Sequence, residues 1–144
     1  MAASSPAGEF SLSLRVYIED TDAGGIVYYV NYLKFMERCR TEFMRSLGFD
    51  KNFIFNEDLI FVVRDVAVQY LNAAKLDDEL IVTAEITELK GAAMTLRQAV
   101  RRGAEMLAQG EVKIVCVDKS ALVPRRIPKS MLAGLRAVAA QPAC

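Results

Sequence analysis

A tight acidic turn followed at once by one long helical pattern constrains this chain more than any other feature. The turn is D-T-D-A-G-G at residues 20–25, and the pattern occupies residues 31–47. Asn31 is the predicted N-cap of this helix and Gly48 its predicted C-terminal stop. A helix of that length is a rod of about 25 Å, which spans a small domain. Its apolar residues recur at spacings of three and four, as in an amphipathic helix: Tyr32, Phe35, Met36, Cys39, Phe43, Met44 and Leu47.

The chain contains no histidine. Ser-His and Cys-His nucleophile pairs, histidine general bases and imidazole metal sites are therefore excluded. Its three cysteines, Cys39, Cys116 and Cys144, are far apart and odd in number, which favours neither a disulfide nor a zinc site. Any catalysis must use carboxylates, hydroxyls and backbone dipoles, and we expect no metal and no cofactor.

The composition indicates a single domain with an interface to other subunits. The chain has 144 residues, and Lys+Arg and Asp+Glu both total 18, so no net field attracts nucleic acid or an anionic membrane. No apolar stretch is long enough for a membrane span, and residues 1–8 have neither the basic start nor the apolar run of a signal peptide. We expect a cytoplasmic protein. The hydrophobic content of 53% is high for a soluble monomer, which we interpret as surface buried between subunits.

Five segments have the alternation of β-strands, at residues 11–18, 60–71, 79–90, 93–102 and 105–118. The last four read as an antiparallel meander, with a hairpin at residues 90–92 and a bulge or sharp curl at Gly110. A helical turn is predicted near residues 52–56 and a short helix at residues 129–139. Residues 1–10 are predicted to be a disordered tail, and residues 11–140 a single domain.

The alternation also assigns side chains to faces of the predicted strands. The first strand has Leu12, Leu14, Val16 and Ile18 on one face, and the second has Val62, Val66, Val68 and Tyr70 on one side. In the third, Leu80, Val82, Ala84 and Ile86 are predicted to point inward, and Glu79, Thr83, Glu85 and Thr87 outward. An antiparallel sheet with one apolar face must cover that face, and the long helix is the only large cover available. We predict an α+β fold in which a curved, antiparallel five-stranded sheet wraps around one long central helix.

Three segments of the sequence resemble those of a known enzyme family. The segments D-T-D-A-G-G-I-V-Y-Y-V-N-Y-L-K-F-M-E-R-C-R-T-E (residues 20–42), F-V-V-R-D-V-A-V-Q-Y-L-N-A-A-K-L-D-D-E-L (residues 61–80) and V-C-V-D followed by P-R-R-I-P (residues 115–128) are similar to the hotdog-fold acyl-CoA thioesterases. The nearest groups are the YbgC-type and 4-hydroxybenzoyl-CoA thioesterases. The resemblance implies a hotdog fold and a hydrolase that converts acyl-CoA thioesters to free acid and CoA. It also implies a homodimer or homotetramer with active sites at the dimer interface.

The resemblance further implies a role for particular residues. Asp22 matches the catalytic carboxylate, as either nucleophile or general base, and the backbone N–H near Tyr29 matches the oxyanion site at the helix N-terminus. Many YbgC-type members carry histidine at position 29, whereas the hydroxybenzoyl-CoA enzymes resemble this chain in having tyrosine. Asn31 is expected to cap the helix and to help orient the turn beside the substrate.

The chemistry of a thioester supports these assignments. Its carbonyl is already electrophilic, so a carboxylate and donors for the developing oxyanion are sufficient for hydrolysis. Gly24 and Gly25 let the turn approach a ligand closely, and the helix N-terminus offers unpaired N–H groups and a dipole. CoA also carries phosphates, which require cations near the substrate. The candidates are Arg64, Lys90, Arg125, Arg126 and Lys129.

Several alternatives stay open at this point. Asp20 and Asp22 also suit a purely structural Asx-turn before a helix. Calcium binding is less consistent, because the loop lacks the third acidic position and the terminal glutamate of an EF-hand. A hotdog dehydratase depends on a histidine, which this chain lacks. The remaining alternative is a non-catalytic module that binds acyl thioesters or acyl carrier protein. The sequence leaves open the length and aromaticity of the acyl group.

Overall fold

The computed structural model describes residues 8–139, with residues 54 and 55 described in backbone only. Five strands and three helices make up the fold. In chain order these are β1 (Glu9–Arg15), a 3-10 turn (Ile18–Asp20), α1 (Val30–Ser46), α2 (Lys51–Glu57), β2 (Leu59–Tyr70), β3 (Glu79–Lys90), β4 (Ala93–Arg102), β5 (Glu105–Asp118) and α3 (Lys129–Val138). The predicted bounds of β3, β4 and β5 are confirmed, as are the helical turn near residues 52–56 and the final short helix.

The strands form one antiparallel sheet in the order β1-β3-β4-β5-β2. The predicted α+β architecture is thereby confirmed, but the meander contains only β3, β4 and β5. The prediction that β2 continues it is wrong, because β2 pairs with β5 on the far side of the sheet. Both β1 and β2 are therefore edge strands of the described sheet, and within residues 8–139 no strand pairs with the outer edge of β2, which is twelve residues long.

The long helix α1 covers the concave side of the sheet, against β3, β1 and β4. Its buried stripe includes Phe35, Met36 and Cys39, each 1% exposed or less. The opposing inward residues of β3, Leu80, Val82, Ala84 and Ile86, are fully buried, as predicted. Gly48 ends the helix as predicted, with a φ of +90° and hydrogen bonds from Gly48 N to Arg45 O and from Phe49 N to Met44 O. This is a Schellman arrangement, which requires a left-handed residue at that position.

The first strand differs from its predicted bounds. It begins at Glu9, so Glu9 and Phe10 do not belong to a disordered tail; residues 1–7 of that tail lie outside the described residues. Phe10 stacks on Phe43 of α1 with ring centroids 5.2 Å apart, which explains why the strand extends in that direction. The prediction that Ile18 shares a strand face with Leu12 and Leu14 is wrong, because β1 ends at Arg15 and the chain enters the 3-10 turn at Ile18, which is 76% exposed.

One face assignment fails for a local reason, and one outward residue is more buried than its face suggests. The register of β2 shifts between Val63 and Asp65, where Arg64 is an extra residue, so Val62 lies on the opposite face of the sheet from Val66. Thr83, predicted to point outward, is only 4% exposed. It is on the outer face as predicted, but β3 is an interior strand, flanked there by Ser11 of β1 and Ala99 of β4.

Glycine is required at position 110 because β5 approaches β2 closely there, and not because the strand bulges. The pairing of β5 with β2 and β4 runs through Gly110 without a register shift, so the predicted bulge is absent at this residue. A Cβ at this position would lie 2.2 Å from the carbonyl oxygen of Ala67 and 2.9 Å from the Cα of Val68. Only glycine lets the two strands pack at this spacing.

We expect Gly110→Ala to destabilise the protein by at least about 1–3 kcal/mol, because the backbone atoms it meets can yield only by separating β2 from β5. Chemical denaturation monitored by circular dichroism measures this. Gln109→Ala, an exposed change on the same strand, is the control and should leave the midpoint nearly unchanged. A Gly110→Ala midpoint equal to that of the control would contradict the close-approach explanation.

Candidate active site

Asp22 lies exposed in the tight turn between the 3-10 turn and α1. Its Oδ1 accepts a hydrogen bond from Gly24 N at 2.8 Å, and its carbonyl oxygen accepts one from Gly25 N at 3.1 Å. This is the Asx-turn that the sequence also allowed. Among the residues that the structure describes, nothing donates to the second carboxylate oxygen, Oδ2. The turn therefore orients the carboxylate and leaves one oxygen available to a ligand or water.

The loop at residues 72–78 holds the turn in place. Val27 N donates to the carbonyl of Ala74 at 2.8 Å, and Leu76 N donates to that of Gly25 at 3.2 Å. An isolated bridge also pairs Ile26 with Lys75. These backbone bonds join the turn to the segment that leads into β3, so the position of Asp22 is set by the sheet as well as by its own loop.

Asn31 connects the turn to the helix. Its prediction as the N-cap is wrong: α1 begins at Val30, and Tyr29 occupies the cap position without a side-chain cap. Asn31 lies in the first turn of the helix, 9% exposed, and its Nδ2 donates to the carbonyl oxygen of Asp20 at 2.8 Å. Tyr28 N donates to that same oxygen at 3.1 Å. Asn31 thus orients the turn, which was the second role predicted for it.

The start of α1 presents two unpaired donors. In the described residues, the backbone N–H groups of Tyr29 and Val30 have no hydrogen-bond acceptor. They lie at the positive end of the helix dipole, a position that favours a negative charge. The cap residue Tyr29 is exposed, so an external acceptor can reach this end of the helix. The geometry suits an oxygen atom that gains negative charge.

Four tyrosine rings cluster at this end of the helix: Tyr28, Tyr29, Tyr32 and Tyr70. Tyr29 contacts Tyr28 with centroids 5.1 Å apart and Tyr70 of β2 at 5.6 Å. Partial burial, and then the neighbouring Tyr29 and Tyr32, raise the pKa of the Tyr70 phenol above its usual range. A phenol is already protonated at neutral pH, and the raised pKa of Tyr70 extends this to more alkaline pH, so the group is a hydrogen-bond donor and not an anion.

The predicted cations do not lie beside Asp22 within the same chain. Lys90 ends β3, Arg125 and Arg126 follow β5, and Lys129 begins α3. Ile127 N bonds to Gly91 O at 3.3 Å, so this segment packs along the β3–β4 hairpin. Asp22 is joined to the other end of β3, and twelve residues of strand span about 37 Å. Arg64 lies between the two ends, at the exposed bulge of β2, 3.8 Å from Asp65.

Neither described cysteine has the properties of a nucleophile. Burial raises the pKa of the Cys39 thiol to about 12, and burial also raises that of Cys116. Both thiols are buried, and no cluster of three His, Cys, Asp or Glu residues that could hold a metal occurs within residues 8–139. In the same part of the chain, no helix combines the length and apolarity needed to cross a membrane.

Sequence reasoning missed two members of this region. The sequence indicates an oxyanion donor only near Tyr29, because a cap at Asn31 hides the second unpaired N–H group, at Val30. It indicates only a strand position for Tyr70, because the contact of Tyr70 with Tyr29 joins residues 41 positions apart. The run of tyrosines at positions 28 and 29 was the available signal for an aromatic surface, but periodicity does not indicate which strand completes it.

Comparisons by family model, by sequence and by structure all match this chain to thioesterases. Residues 16–135 match the model of the thioesterase-like superfamily. The chain is 46% identical to the acyl-CoA thioesterase YbgC of Haemophilus influenzae over 125 residues, which is 86% of this chain and 92% of that protein. It is 42% identical to the acyl-CoA thioester hydrolase YbgC of Escherichia coli, across 86% and 93% of the two chains. A probable thioesterase from Bartonella henselae superposes with a TM-score of 0.79 at 34% identity, covering 83% of this chain and 99% of that one. The predicted hotdog fold is confirmed.

We expect Asn31→Ala to lower the free energy of unfolding by about 1–3 kcal/mol, because it removes one of the hydrogen-bond donors to the carbonyl oxygen of buried Asp20. Thermal unfolding measures the change in Tm. Asn52→Ala, an exposed asparagine on α2 whose side chain makes no described hydrogen bond, is the control. Equal Tm values for the two variants would show that the bond from Asn31 to Asp20 does not stabilise the turn.

Because the pKa of the Cys39 thiol is about 12, almost none of it is thiolate at pH 8. We expect iodoacetamide at pH 8 to leave Cys39 unmodified in the folded protein and to alkylate it fully after denaturation in urea. Peptide mass spectrometry distinguishes the two states. Rapid alkylation of Cys39 in the folded protein would contradict its burial.

Proposed function

The chain belongs to the thioesterase-like superfamily and is a thioester hydrolase, and on that premise we propose that Asp22 is the catalytic carboxylate for cleavage of acyl-CoA to free acid and CoA. The observation that carries the proposal is the pair of unpaired N–H groups at Tyr29 and Val30, which follow the exposed Asp22 turn along the chain. Asn31 fixes this turn to the helix through the carbonyl of Asp20.

The proposed reaction begins with the thioester carbonyl oxygen accepting hydrogen bonds from the N–H groups of Tyr29 and Val30. As a nucleophile adds to the carbonyl carbon, negative charge moves onto that oxygen, and the two donors and the helix dipole stabilise it. Loss of one such donor costs about 100- to 1000-fold in rate, so this is a large contribution. The tetrahedral intermediate then expels CoA as its thiolate.

Asp22 fills one of two roles. As a general base, its free oxygen takes a proton from water, the resulting hydroxide adds to the carbonyl, and Asp22 then returns the proton to the CoA thiolate. As a nucleophile, the carboxylate attacks the carbonyl and forms an anhydride, which water hydrolyses in a second step. The Asx-turn through Gly24 N orients one oxygen and leaves the other free in both cases.

We further propose that a second copy of the chain completes the active site. The edge strand β2 has an unpaired backbone, and its exposed apolar side chains suit a partner: Val62, Val63, Val66, Tyr70 and Leu71, each 40–49% exposed. Antiparallel pairing of two β2 strands sets the Tyr70 end of one beside the Leu59 end of the other. Tyr70 contacts Tyr29, whereas Leu59 pairs with Asp118, just before the basic segment.

This pairing brings the partner's cations to Asp22. The CoA phosphates would contact Arg126 and Lys129 of the other copy, which are exposed, with Lys90 beside them. Arg125 is partly committed within its own chain, because its guanidinium donates to the carbonyl of Glu57 at 2.7 Å. Arg64 would lie near the middle of the paired strands. The minimal active unit is then a homodimer in the cytoplasm, and a homotetramer would be a dimer of such dimers. An acyl group on acyl carrier protein is an alternative substrate.

We expect Asp22→Asn to reduce kcat/KM by about 100- to 10,000-fold without changing Tm, because the amide keeps the Asx-turn but cannot accept a proton. Release of free thiol from short-chain, long-chain and aryl acyl-CoAs measures this. Asp50→Asn is the matched control, since Asp50 Oδ1 also accepts backbone N–H bonds, from Asn52 and Phe53. Absence of thiol release by the wild type across the panel would favour the non-catalytic binding module.

Complementation tests whether the cations act across the dimer. Arg126→Glu should raise KM about 10-fold or more, by loss of a charge-assisted phosphate contact, while Arg136→Glu, an exposed charge reversal in the last turn of α3, should not. A mixture of Asp22→Asn and Arg126→Glu chains, equilibrated so that subunits exchange, should recover roughly a quarter of the wild-type kcat/KM. Half of the dimers are then heterodimers, and each heterodimer carries one intact site and one inactive site. No recovery would mean that Arg126 serves its own chain or none.

A further inference from the structure

Tyr32 of α1 has a buried hydroxyl group that bonds to the loop at residues 72–78. The residue is 3% exposed, and its Oη accepts a hydrogen bond from Ala74 N at 2.8 Å. The same hydroxyl donates to the carbonyl oxygen of Asn72 over a longer distance, 3.4 Å. Ala74 is fully buried, and within the described residues its N–H group has no other acceptor. Tyr32 therefore supplies the acceptor that this buried backbone donor requires.

A short series of backbone hydrogen bonds connects Ala74 to Asp22. The carbonyl oxygen of Ala74 accepts from Val27 N at 2.8 Å, and an isolated bridge pairs Val27 with Thr21. Asp22 N in turn donates to the carbonyl oxygen of Ile26 at 3.0 Å. The acidic turn is thus a small hairpin, one side of which is bonded to the loop. A displacement of Ala74 would move that side of the hairpin and the backbone of Asp22 with it.

Two consecutive residues of α1 hold the acidic turn on either side of Asp22. Asn31 bonds to the carbonyl oxygen of Asp20, before it. Tyr32 acts after it, because the Ala74 peptide that it holds accepts from Val27 N. Successive residues of a helix are separated by a fixed rise of about 1.5 Å. Both side chains therefore have a fixed position relative to the unpaired N–H groups at the start of the same helix.

Arg102, at the end of β4, attaches the loop to the sheet without bonding to the N–H group of Ala74. Its Nη1 donates to the carbonyl oxygen of Ala73 at 3.2 Å and to Oδ2 of Asp78 at 2.6 Å. These bonds do not involve the Tyr32 hydroxyl. The loop should therefore stay folded against the sheet when that hydroxyl is removed, while Ala74 loses its acceptor.

The Tyr32 hydroxyl is a fixed bridge and not a titrating group. A phenol is protonated at neutral pH. Burial raises the pKa of Tyr32 further, and the hydrogen bond from Ala74 acts in the opposite direction without cancelling this effect. A protonated hydroxyl can accept from one backbone group and donate to another at the same time.

We propose that Tyr32 is a positioning residue of the active site, which acts through the peptide of Ala74 to hold Asp22 in place relative to the start of α1. This inference rests on the proposed function, because it assumes that Asp22 takes part in the reaction. Tyr32 itself is buried and bonded to the loop, so it influences the reaction without touching the substrate.

Ring packing alone does not account for a tyrosine at position 32. The ring lies near those of Phe35 and Tyr70, with centroids 6.2 and 5.6 Å away. Phenylalanine would keep both contacts, and only the hydroxyl reaches the loop. Tyr32→Phe therefore tests the hydroxyl while conserving the shape of the ring.

Tyr32→Phe should lower kcat about 10- to 100-fold and leave KM within about 3-fold. A displacement of about 1 Å in a catalytic group has an effect of this size, whereas the contacts to CoA remain. Leu135→Ala is the control, since it opens a cavity at a fully buried position of α3 and lowers Tm outside the site. At a temperature where both variants are folded, equal kcat values for the two would overturn the proposal.

Combination with Asp22→Asn tests whether Tyr32 acts through Asp22. Residues that act as a unit have non-additive effects on the rate. In the Asp22→Asn background, Tyr32→Phe should lower kcat by less than about 3-fold further. The same 10- to 100-fold loss in both backgrounds would mean that the hydroxyl acts through another group, and the proposal would fail.

Amide hydrogen exchange gives a measurement that does not depend on activity. Tyr32→Phe should speed exchange about 10-fold or more at Val27 and Asp22, whose N–H groups bond within the displaced segment. Phe49 N–H, at the other end of α1, should be unaffected. Unchanged exchange at Val27 and Asp22 would contradict the proposal. Failure of the proposed function looks different: the exchange result would hold while Asp22→Asn released thiol from acyl-CoA as fast as the wild type.

Discussion

The carbonyl oxygen of Asp20 is the acceptor on which the arrangement of the site depends. It receives hydrogen bonds from Tyr28 N and from the Asn31 side chain, so the acidic turn and the first turn of α1 are tied to one atom. The Asp20 carboxylate accepts in addition from Tyr17 N at 2.9 Å. A short polar turn on its own samples many conformations, and these bonds restrict it to one. The turn that carries the exposed Asp22 is thereby fixed to the start of α1, where the N–H groups of Tyr29 and Val30 are unpaired within the described residues.

The second constraint is that the two ends of the folded domain carry different functional groups. One end carries the acidic turn, the tyrosines and the N-terminus of α1, and the other carries Lys90 and the basic segment that follows β5. In a single copy, the Asp22 carboxylate lies about one strand length away from the cations that a phosphate-bearing substrate requires. The proposed antiparallel pair of copies would remove that separation at both sites at once, and it would give the exposed edge strand β2 a role in function as well as in assembly.

Features set by local interactions were predictable from the sequence, whereas features set by contacts between distant residues were not. The bounds of β3, β4 and β5 followed from strict alternation, and the stop at Gly48 followed from glycine's access to positive φ, both of which are local properties. The cap at Asn31 was misplaced because its amide bonds to a carbonyl eleven residues earlier, a contact that no local pattern encodes. The faces of β2 were misassigned because a single extra residue, Arg64, reverses the alternation, and nothing in the local composition marks it.

The sequence by itself determined the fold class and the chemistry available to it. A single amphipathic helix, five alternating segments and the lack of histidine leave an α+β domain that must work with carboxylates and helix dipoles. The tertiary structure alone decided which groups meet: that β2 lies at the far edge of the sheet and not in the meander, that the N–H groups of Tyr29 and Val30 have no acceptor within residues 8–139, and that buried Gln98 accepts a hydrogen bond from Arg40. These outcomes depend on strand order and on contacts between distant segments, whereas periodicity reports only how each segment presents its own faces.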